Sequence, residues 1–266
     1  MRSLFLLTPA HSPISITTNC EKFCNSLKEK YGLYISEKEI TTKYNITAIF
    51  QENTYTVITP QGEQQTNTPL LALDRYLFQN ASYHNHLFAL HGAAVEWNGE
   101  ASLFLAATTS GKTTLTSYLT SCGCGYITDD CILLERSTFM IEPYATPIEL
   151  RDGGLDVLNR YRVIPNNLYL LEEEKVFRRW VYTPNNCVKY PIPLKRIFFI
   201  ERTEQENALI DMNATERISS LMRAPITNYE INGDYLRFLS RLAKIDCRIL
   251  RYCDMDYVKE LIQNEQ

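Results

Sequence analysis

The chain has 266 residues, of which 45% are hydrophobic and 22% charged, and its formal net charge is −4. This composition is typical of a globular protein with enough chain for one large domain or two small ones. The weakly acidic charge excludes an electrostatic case for binding a nucleic acid polymer or an anionic membrane, and no apolar run approaches the ~18 residues of a membrane span.

The cysteines and the N-terminal residues indicate the cellular compartment. Of eight cysteines, Cys20/Cys24 and Cys122/Cys124 form close pairs, but no second cysteine or histidine pair follows at zinc spacing. We therefore expect free thiols, as in a reducing cytosol. The first residues contain only four consecutive apolar residues, fewer than the ~7–15 of a signal peptide. The sequence predicts a cytoplasmic protein.

The first 86 residues are predicted to form a small α+β unit. Residues 21–32 have helical character and end at Gly32, a typical helix stop. Residues 45–64 alternate and are rich in β-branched side chains, which indicates paired strands with a turn at Pro60-Gln61-Gly62. Apolar residues then recur at helical spacing in 69–82. We place a boundary here, with residues 1–86 as the first domain and 87–266 as the second.

The second domain begins with a hairpin. Residues 91–97 and 100–107 flank Asn98-Gly99, a strong signal for a two-residue hairpin turn. Residues 111–122 then predict a helix that stops at Gly123 and Gly125. Residues 126–130 and 131–135 read as extended chain.

The remaining residues alternate between strands and helices. Asn213 and Glu216 are spaced as a capping box, which predicts a helix start at Asn213. Strands interleaved with helices are typical of an α/β domain. The predicted elements are a strand over 193–202, helices over 213–223 and 233–245, a strand over 247–253 and a helix over 254–264.

The stretch AATTSGKTT, residues 106–114, resembles a phosphate-binding loop between a strand and a helix. The pattern is Gly, four residues, then Gly-Lys-Ser/Thr, and here Ala106 stands at the first glycine. In such a loop Lys112 reaches the β- and γ-phosphates, and the hydroxyl of Thr113 ligates Mg²⁺. Thr109 and Ser110 add further hydroxyl groups that can donate to phosphate.

Asp129 and Asp130 follow at the end of a predicted strand, 17 residues after Lys112. Adjacent side chains point to opposite faces while a strand persists, so both serve one site only if the strand ends there. One carboxylate then holds Mg²⁺ and the other accepts the proton of an attacking hydroxyl. The alternative is a polar turn, in which aspartate is common.

Two further elements flank this pair. His91 starts the predicted hairpin strand, although a lone histidine is more often structural than catalytic. In PIELRDGGLDVL, residues 147–158, Glu149 offers a metal-binding oxygen and Arg151 a charge for phosphate. The alternative for this segment is a strand entering a Gly-Gly turn.

The order and spacing of these elements resemble the HPr kinase/phosphorylase family. They are most similar to the HPr kinase-like proteins, some of which tailor ribosomal peptides such as lasso-peptide precursors. The resemblance is strong over residues 90–158 and consistent with the strands and helices that follow. It implies an α/β fold with a P-loop kinase core of the HPr kinase and phosphoenolpyruvate carboxykinase type, preceded by the small N-terminal α+β unit.

The resemblance also implies roles for individual residues, with ATP and Mg²⁺ as cofactors. The catalytic residues are Asp129 as the base, Lys112, and His91 as the active-site histidine of the family. The metal ligands are Thr113, Asp130 and Glu149. The nucleotide-binding residues are Thr108, Thr109, Ser110, Gly111, Lys112, Thr113, Thr114 and Arg151.

This sequence departs from the family pattern at two places. Ala106, Thr108 and Thr109 replace the family's Gly, Ser and Gly, and RDGGL replaces a segment that the family ties to phosphorolysis. We therefore expect a forward kinase with little phosphorolysis.

The function predicted is ATP-dependent, Mg²⁺-assisted phosphoryl transfer to a Ser or Thr hydroxyl of a peptide or protein, including a lasso-type precursor peptide. The alternatives are a small-molecule hydroxyl kinase on the same fold and a non-catalytic nucleotide-binding protein. The expected partners are the phosphoacceptor and the nucleotide, with no nucleic acid polymer and no membrane. The sequence leaves open the acceptor, the choice of ATP or GTP, and the oligomeric state, a homo-oligomer included.

Overall fold

The computed structural model describes residues 1–80, 86–106, 110–173, 177–225 and 230–264, which form a mixed α/β structure as predicted. The chain divides into two compact units. The first consists of Met1–Asn85 and Leu170–Arg179, and the second consists of His86–Tyr169 and Trp180–Gln266. The division into folding domains stays a prediction. No helix within the described ranges is long and apolar enough to cross a membrane.

The first unit is built on a six-stranded sheet of order β3-β1-β2-β4-β5-β6. The strands are β1 (Arg2–Leu6), β2 (Ile14–Thr18), β3 (Ile35–Ser36), β4 (Tyr44–Gln51), β5 (Thr54–Thr59) and β6 (Gly62–Thr66). The helices are α1 (Glu21–Tyr31), followed by one 3₁₀ turn, and α2 (Pro69–Asn80). Strands β1 and β2, the second and third strands of this sheet, were not predicted from the sequence.

Both predicted helices and the paired strands of this unit are confirmed, with two changes of detail. Gly32 has φ −54°, so the chain continues from α1 into the 3₁₀ turn without a left-handed glycine stop. The predicted turn at Pro60-Gln61 joins β5 to β6. A second turn, at Glu52-Asn53, joins β4 to β5 with positive φ at both residues.

A buried ion pair links the two helices of this unit. Lys30 donates to Asp74 Oδ2 at 2.6 Å, and the hydroxyl of Tyr31 donates to Asp74 Oδ1 at 2.5 Å. The side chains of Lys30 and Asp74 are only 14% and 11% exposed. Removing one partner from such a pair leaves the other charge away from water without compensation. The pair therefore holds α1 against α2.

The second unit contains strands β7 to β12 and β15 to β17 and helices α3 to α7. These strands are β7 (Leu87–Trp97), β8 (Glu100–Leu105), β9 (Gly125–Thr128), β10 (Cys131–Glu135), β11 (Met140–Glu142), β12 (Ile148–Leu150), β15 (Ile192–Arg202), β16 (Ala208–Asp211) and β17 (Asp246–Tyr252). Two further strands, β13 (Tyr169–Glu173) and β14 (Phe177–Tyr182), have residues in both units. The helices are α3 (Lys112–Ser121), α4 (Asp152–Arg160), α5 (Ala214–Met222), α6 (Gly233–Leu242) and α7 (Met255–Asn264).

The main sheet of this unit has the order β11-β10-β7-β8-β15-β17-β16, and β9 pairs with β7. The β7–β8 hairpin turns at Asn98-Gly99, as predicted, with positive φ at both residues. Strands β8, β15 and β17 are parallel to one another. Their carboxyl ends therefore lie at one edge of the sheet, where ligands bind in open α/β sheets.

Strand β8 is buried on both faces. Phe104 packs in a core with Leu115 and Leu119 of α3. Leu103 and Leu105, which point the other way, pack in a second core with residues of α5 and α6 such as Leu221 and Leu239. Alternation with a period of two divides the strand between the cores. The end of β8 is thus held rigidly on both sides.

We expect Asp74→Ala to lower the free energy of unfolding by about 3–5 kcal/mol, because it removes the poorly solvated carboxylate to which Lys30 and Tyr31 both donate. Urea denaturation followed by circular dichroism measures the change. The control is Glu21→Gln, which breaks the Arg2–Glu21 pair, whose side chains are 62% and 70% exposed. That change should cost about 1 kcal/mol or less. Equal costs for the two variants would contradict the buried-pair assignment.

Candidate functional site

The suspected phosphate loop lies between a strand and a helix, as predicted. Strand β8 ends at Leu105 and helix α3 begins at Lys112. Ala106, Ser110 and Gly111 of the loop are described. Thr108 and Thr109, two of the predicted nucleotide-binding residues, lie outside the described residues, and their assignment stays a prediction.

Gly111 has a conformation that few other residues adopt. Its φ is 92°, in the left-handed region, and it forms the N-terminal cap of α3. A Cβ atom at this position would also lie 3.3 Å from the hydroxyl of Tyr252. Next to it, the hydroxyl of Ser110 is buried and has no hydrogen-bond partner in the described structure. The loop thus has a fixed glycine and a polar group without a partner at the helix start.

Lys112 is buried in the site, with only 6% of its surface exposed. Its ammonium group donates to the backbone carbonyl of Ala106 at 2.9 Å, so the side chain reaches back across the loop. Burial lowers the pKa of Lys112, and the negative charges of Asp129 and Asp130 act in the opposite direction. The ammonium group of this lysine is therefore poorly solvated, and a polyanion bound here would contact its positive charge.

The two aspartates occupy a bend. Strand β9 ends at Thr128, whose hydroxyl donates to the carbonyl of Cys131, the first residue of β10, at 2.9 Å. Asp129 is buried and Asp130 is exposed. Both aspartates can serve one site only if the strand ends before them, and β9 does end before them. Asp129 and Asp130 also both act electrostatically on Lys112.

Asp129 is an unusual carboxylate. It is 4% exposed, and its Oδ1 atom has no hydrogen-bond partner in the described structure. Burial raises its pKa well above the ordinary value, and the charge of Asp130 adds to the increase. A hydrogen bond from Thr113 and the charge of Lys112 lower it. This carboxyl therefore interacts with two residues of the suspected phosphate loop, Thr113 and Lys112.

His91 contacts the main chain of the bend from the neighbouring strand. It lies within β7, opposite Cys131 of β10. Its Nδ1 lies 3.2 Å from the backbone carbonyl of Asp130, which can only accept, so Nδ1 carries the hydrogen. Its backbone N–H donates to the carbonyl of Ala224 at 2.8 Å. Burial, and then the charge of Lys112, lower the pKa of His91, which favours the neutral ring.

Glu149 and Arg151 differ in their relation to the site. Glu149 lies on β12 and raises the pKa of Asp129 through its charge, so it is within electrostatic range of the bend. Arg151 is exposed at the cap of α4, and no hydrogen bond or ion pair joins its side chain to another described residue. The structure thus places Glu149 within electrostatic range of Asp129.

The Gly153-Gly154 pair lies in the first turn of α4, so the alternative of a strand entering a Gly-Gly turn is wrong. A Cβ atom on Gly154 would lie 2.9 Å from the hydroxyl oxygen of Thr114, whereas one on Gly153 would meet nothing within 4 Å. Gly154 therefore permits α4 to approach α3, the helix that follows the suspected phosphate loop. No local sequence pattern indicates this contact, because it depends on tertiary packing.

The residues present fit a nucleotide with Mg²⁺. The buried ammonium of Lys112, the buried hydroxyl of Ser110 and the partnerless oxygen of Asp129 suit a phosphate group with its counterion. Among the described residues no three His, Cys, Asp or Glu side chains are grouped to hold a metal ion. Mg²⁺ does not need such a group, because it is usually bound by one or two carboxylates, waters and the substrate's phosphates. The assignment of Thr113, Asp130 and Glu149 as ligands stays a prediction.

No protein-family model matches the chain, and no curated protein matches it in sequence. Among solved structures, the chain is similar to the HPr(Ser) kinase/phosphatase from Coxiella burnetii, with 12% identity and a TM-score of 0.32. The match covers 66% of this chain and 94% of that chain. At this level of similarity no property of that enzyme is transferred to this chain, and membership of the family stays a prediction.

We expect Gly153→Ala to raise the free energy of unfolding by about 0.5–1 kcal/mol, because alanine favours a helix and meets no neighbour here. Gly154→Ala should lose this gain, because its methyl group must displace the hydroxyl of Thr114. Urea denaturation followed by the fluorescence of Trp97 and Trp180, both in the second unit, measures the two variants. Equal stabilisation would show that α4 and α3 are not in close contact.

We expect His91 to titrate below the ordinary histidine pKa of about 6.5. Asp130→Asn should lower the pKa of His91 further, because it removes a charge that raises this pKa. Lys112→Met should raise it, because it removes a charge that lowers it. NMR titration of the ring protons measures all three values, with His91→Gln to assign the signal among the four histidines. Shifts of the opposite sign would exclude this arrangement of charges.

Proposed function

We propose that this protein is a kinase that transfers the γ-phosphoryl group of ATP to a hydroxyl group. The observation that carries the proposal is Asp129, a buried carboxylate with an oxygen without a partner, beside Lys112 and Thr113 of the loop. Burying a carboxylate with an oxygen that lacks a partner is costly, and such perturbed groups cluster at functional sites. A phosphotransferase uses one to orient the attacking hydroxyl and to accept its proton.

The loop and the start of α3 would bind the phosphates. Backbone N–H groups at a helix N-terminus point towards a bound anion, and the helix dipole favours negative charge there. Lys112 would exchange its bond to the Ala106 carbonyl for a phosphate oxygen. The hydroxyl of Ser110 would find in the phosphate the partner that it lacks. Thr114 would support this loop from the first turn of α3.

Thr113, Asp130 and Glu149 would hold Mg²⁺, which when bound neutralises charge that develops on the phosphates. Asp129 would accept the proton of the acceptor hydroxyl, and its raised pKa makes it a stronger base than an ordinary aspartate. His91 would act as a positioning residue, because it holds the main chain of the bend through the Asp130 carbonyl. Arg151 would meet the phosphates only if its side chain turns towards the loop.

For the acceptor, we propose a Ser or Thr hydroxyl of a peptide or protein, including a ribosomal precursor peptide of lasso type. Support comes from the sequence resemblance over residues 90–158. The geometry of the second unit supports phosphoryl transfer without choosing the acceptor. The experiment below therefore presents peptides and small alcohols side by side.

We expect Asp129→Asn to reduce phosphoryl transfer by about 10²–10⁴-fold, because the amide cannot accept the proton. Its Kd for MgATP should stay within about threefold of wild type. Lys112→Ala should weaken MgATP binding by about tenfold or more, since it removes a charge-assisted bond to phosphate. Transfer of labelled phosphate to a library of Ser- and Thr-containing peptides, and calorimetric titration of MgATP, measure the two effects.

The matched control is Asp234→Asn, an exposed aspartate on α6 that the proposal does not use. It should leave transfer and binding unchanged. Wild-type turnover in Asp129→Asn would refute the base assignment. A protein that binds MgATP but labels neither the peptides nor small alcohols would be a nucleotide-binding protein without kinase activity.

A further inference from the structure

A cavity of about 330 Å³ opens beside the phosphate loop, within the second unit. Gly111 and Thr114 line one side of it, at the start of α3. Arg202, the last residue of β15, and Tyr252, the last residue of β17, line another. The cavity thus lies at the carboxyl edge of the parallel strands, directly against the residues proposed to bind phosphate. Its volume is within the ~300–1,000 Å³ usual for small-molecule sites.

Two arginines give this cavity a positive charge. Arg160, at the end of α4, and Arg202 both line it and are both exposed. In the part of the chain that the structure describes, neither guanidinium group has a hydrogen bond or an ion pair, and no acidic residue lines the cavity with them. Arginine suits phosphate because its planar group donates two parallel hydrogen bonds. The charges are therefore available to an anion.

Two tyrosines give the cavity rigid aromatic walls. Tyr252 is buried, and burial raises its pKa to about 12, with the charge of Arg202 acting in the opposite direction. The hydroxyl of Tyr161 donates to Asp254 Oδ1 at 2.8 Å and accepts from the backbone N–H of Met255 at 3.0 Å. Its ring meets that of Tyr118 edge-on at 5.0 Å. Because these contacts exist before any ligand binds, little entropy is lost in ordering the walls.

We propose that this cavity binds the nucleoside end of the donor nucleotide. The base lies against the walls formed by Tyr161 and Tyr252, and Arg160 and Arg202 contact the phosphate nearest the ribose. This inference rests on the proposed function, because the same nucleotide places its terminal phosphates in the loop. The continuity of the cavity with Gly111 and Thr114 favours this occupant over a separate ligand. Aromatic walls and cations in one cavity match the base and the phosphate of a nucleoside phosphate.

The experiment compares two ligands, MgATP and inorganic tripolyphosphate, by calorimetric titration of the full chain. Tripolyphosphate carries the three phosphates without a nucleoside, so it reports on the loop and the two arginines but not on the aromatic walls. Cys253 lines the cavity and is exposed, so Cys253→Trp should fill it without disturbing a core. We expect this variant to bind MgATP at least tenfold more weakly than wild type and tripolyphosphate within twofold of wild type. The control is Leu236→Trp, an exposed position on α6.

A second pair of variants does not depend on filling the cavity. Arg160→Gln should weaken MgATP binding at least fivefold, whereas Arg237→Gln, an exposed arginine on α6, should leave it unchanged. Wild-type affinity for MgATP in both Cys253→Trp and Arg160→Gln would overturn the inference and leave the proposed function intact. If Cys253→Trp binds neither ligand, the affinity of Arg160→Gln for MgATP is the deciding measurement. Wild-type affinity in Arg160→Gln would then overturn the inference. A wild-type protein that binds neither ligand would overturn the proposed function and this inference together.

Discussion

The removal of two opposite charges from water is the constraint on which the site depends. Lys112 and Asp129 are both buried, and each moves the pKa of the other towards its charged form. Burial of a charge is costly unless the charge is compensated. Here the compensation is incomplete, because one oxygen of Asp129 and the hydroxyl of Ser110 have no partner among the described residues. A site with buried charges and polar atoms that lack a partner is suited to a charged ligand.

Such a site needs a rigid frame, and the two cores of the second unit provide one. Strand β8 is held on both faces, so the loop begins from a fixed point. The hydrogen bond from Thr128 to Cys131 fixes the bend that presents Asp129, and His91 braces the same bend from the neighbouring strand. Electrostatic preorganisation of this kind contributes most of the stabilisation in many enzymes. The packing of the second unit therefore holds the charged groups of the site in place.

Sequence patterns predicted most of the elements that carry the site. The hairpin at Asn98-Gly99, the helix after the loop and the capping box at Asn213 were all correct, because each depends on local backbone preferences. Strands β1 and β2 were not predicted, because their short apolar runs carry no turn signal. The Gly-Gly pair of α4 was read as a turn in one alternative, because nothing local shows that Thr114 packs against Gly154.

The sequence by itself determined which chemical groups are present and in what order: a Gly-Lys-Thr loop end, an Asp-Asp pair and a histidine upstream. Tertiary structure decided how those groups differ from one another. Asp129 is buried and Asp130 is exposed although they are neighbours in the bend that follows β9. Arg202 and Tyr252 meet at one cavity through the parallel pairing of β15 with β17, and Arg160 reaches it from the end of α4. Burial and long-range contact set these properties, and neither is encoded in any short stretch of sequence.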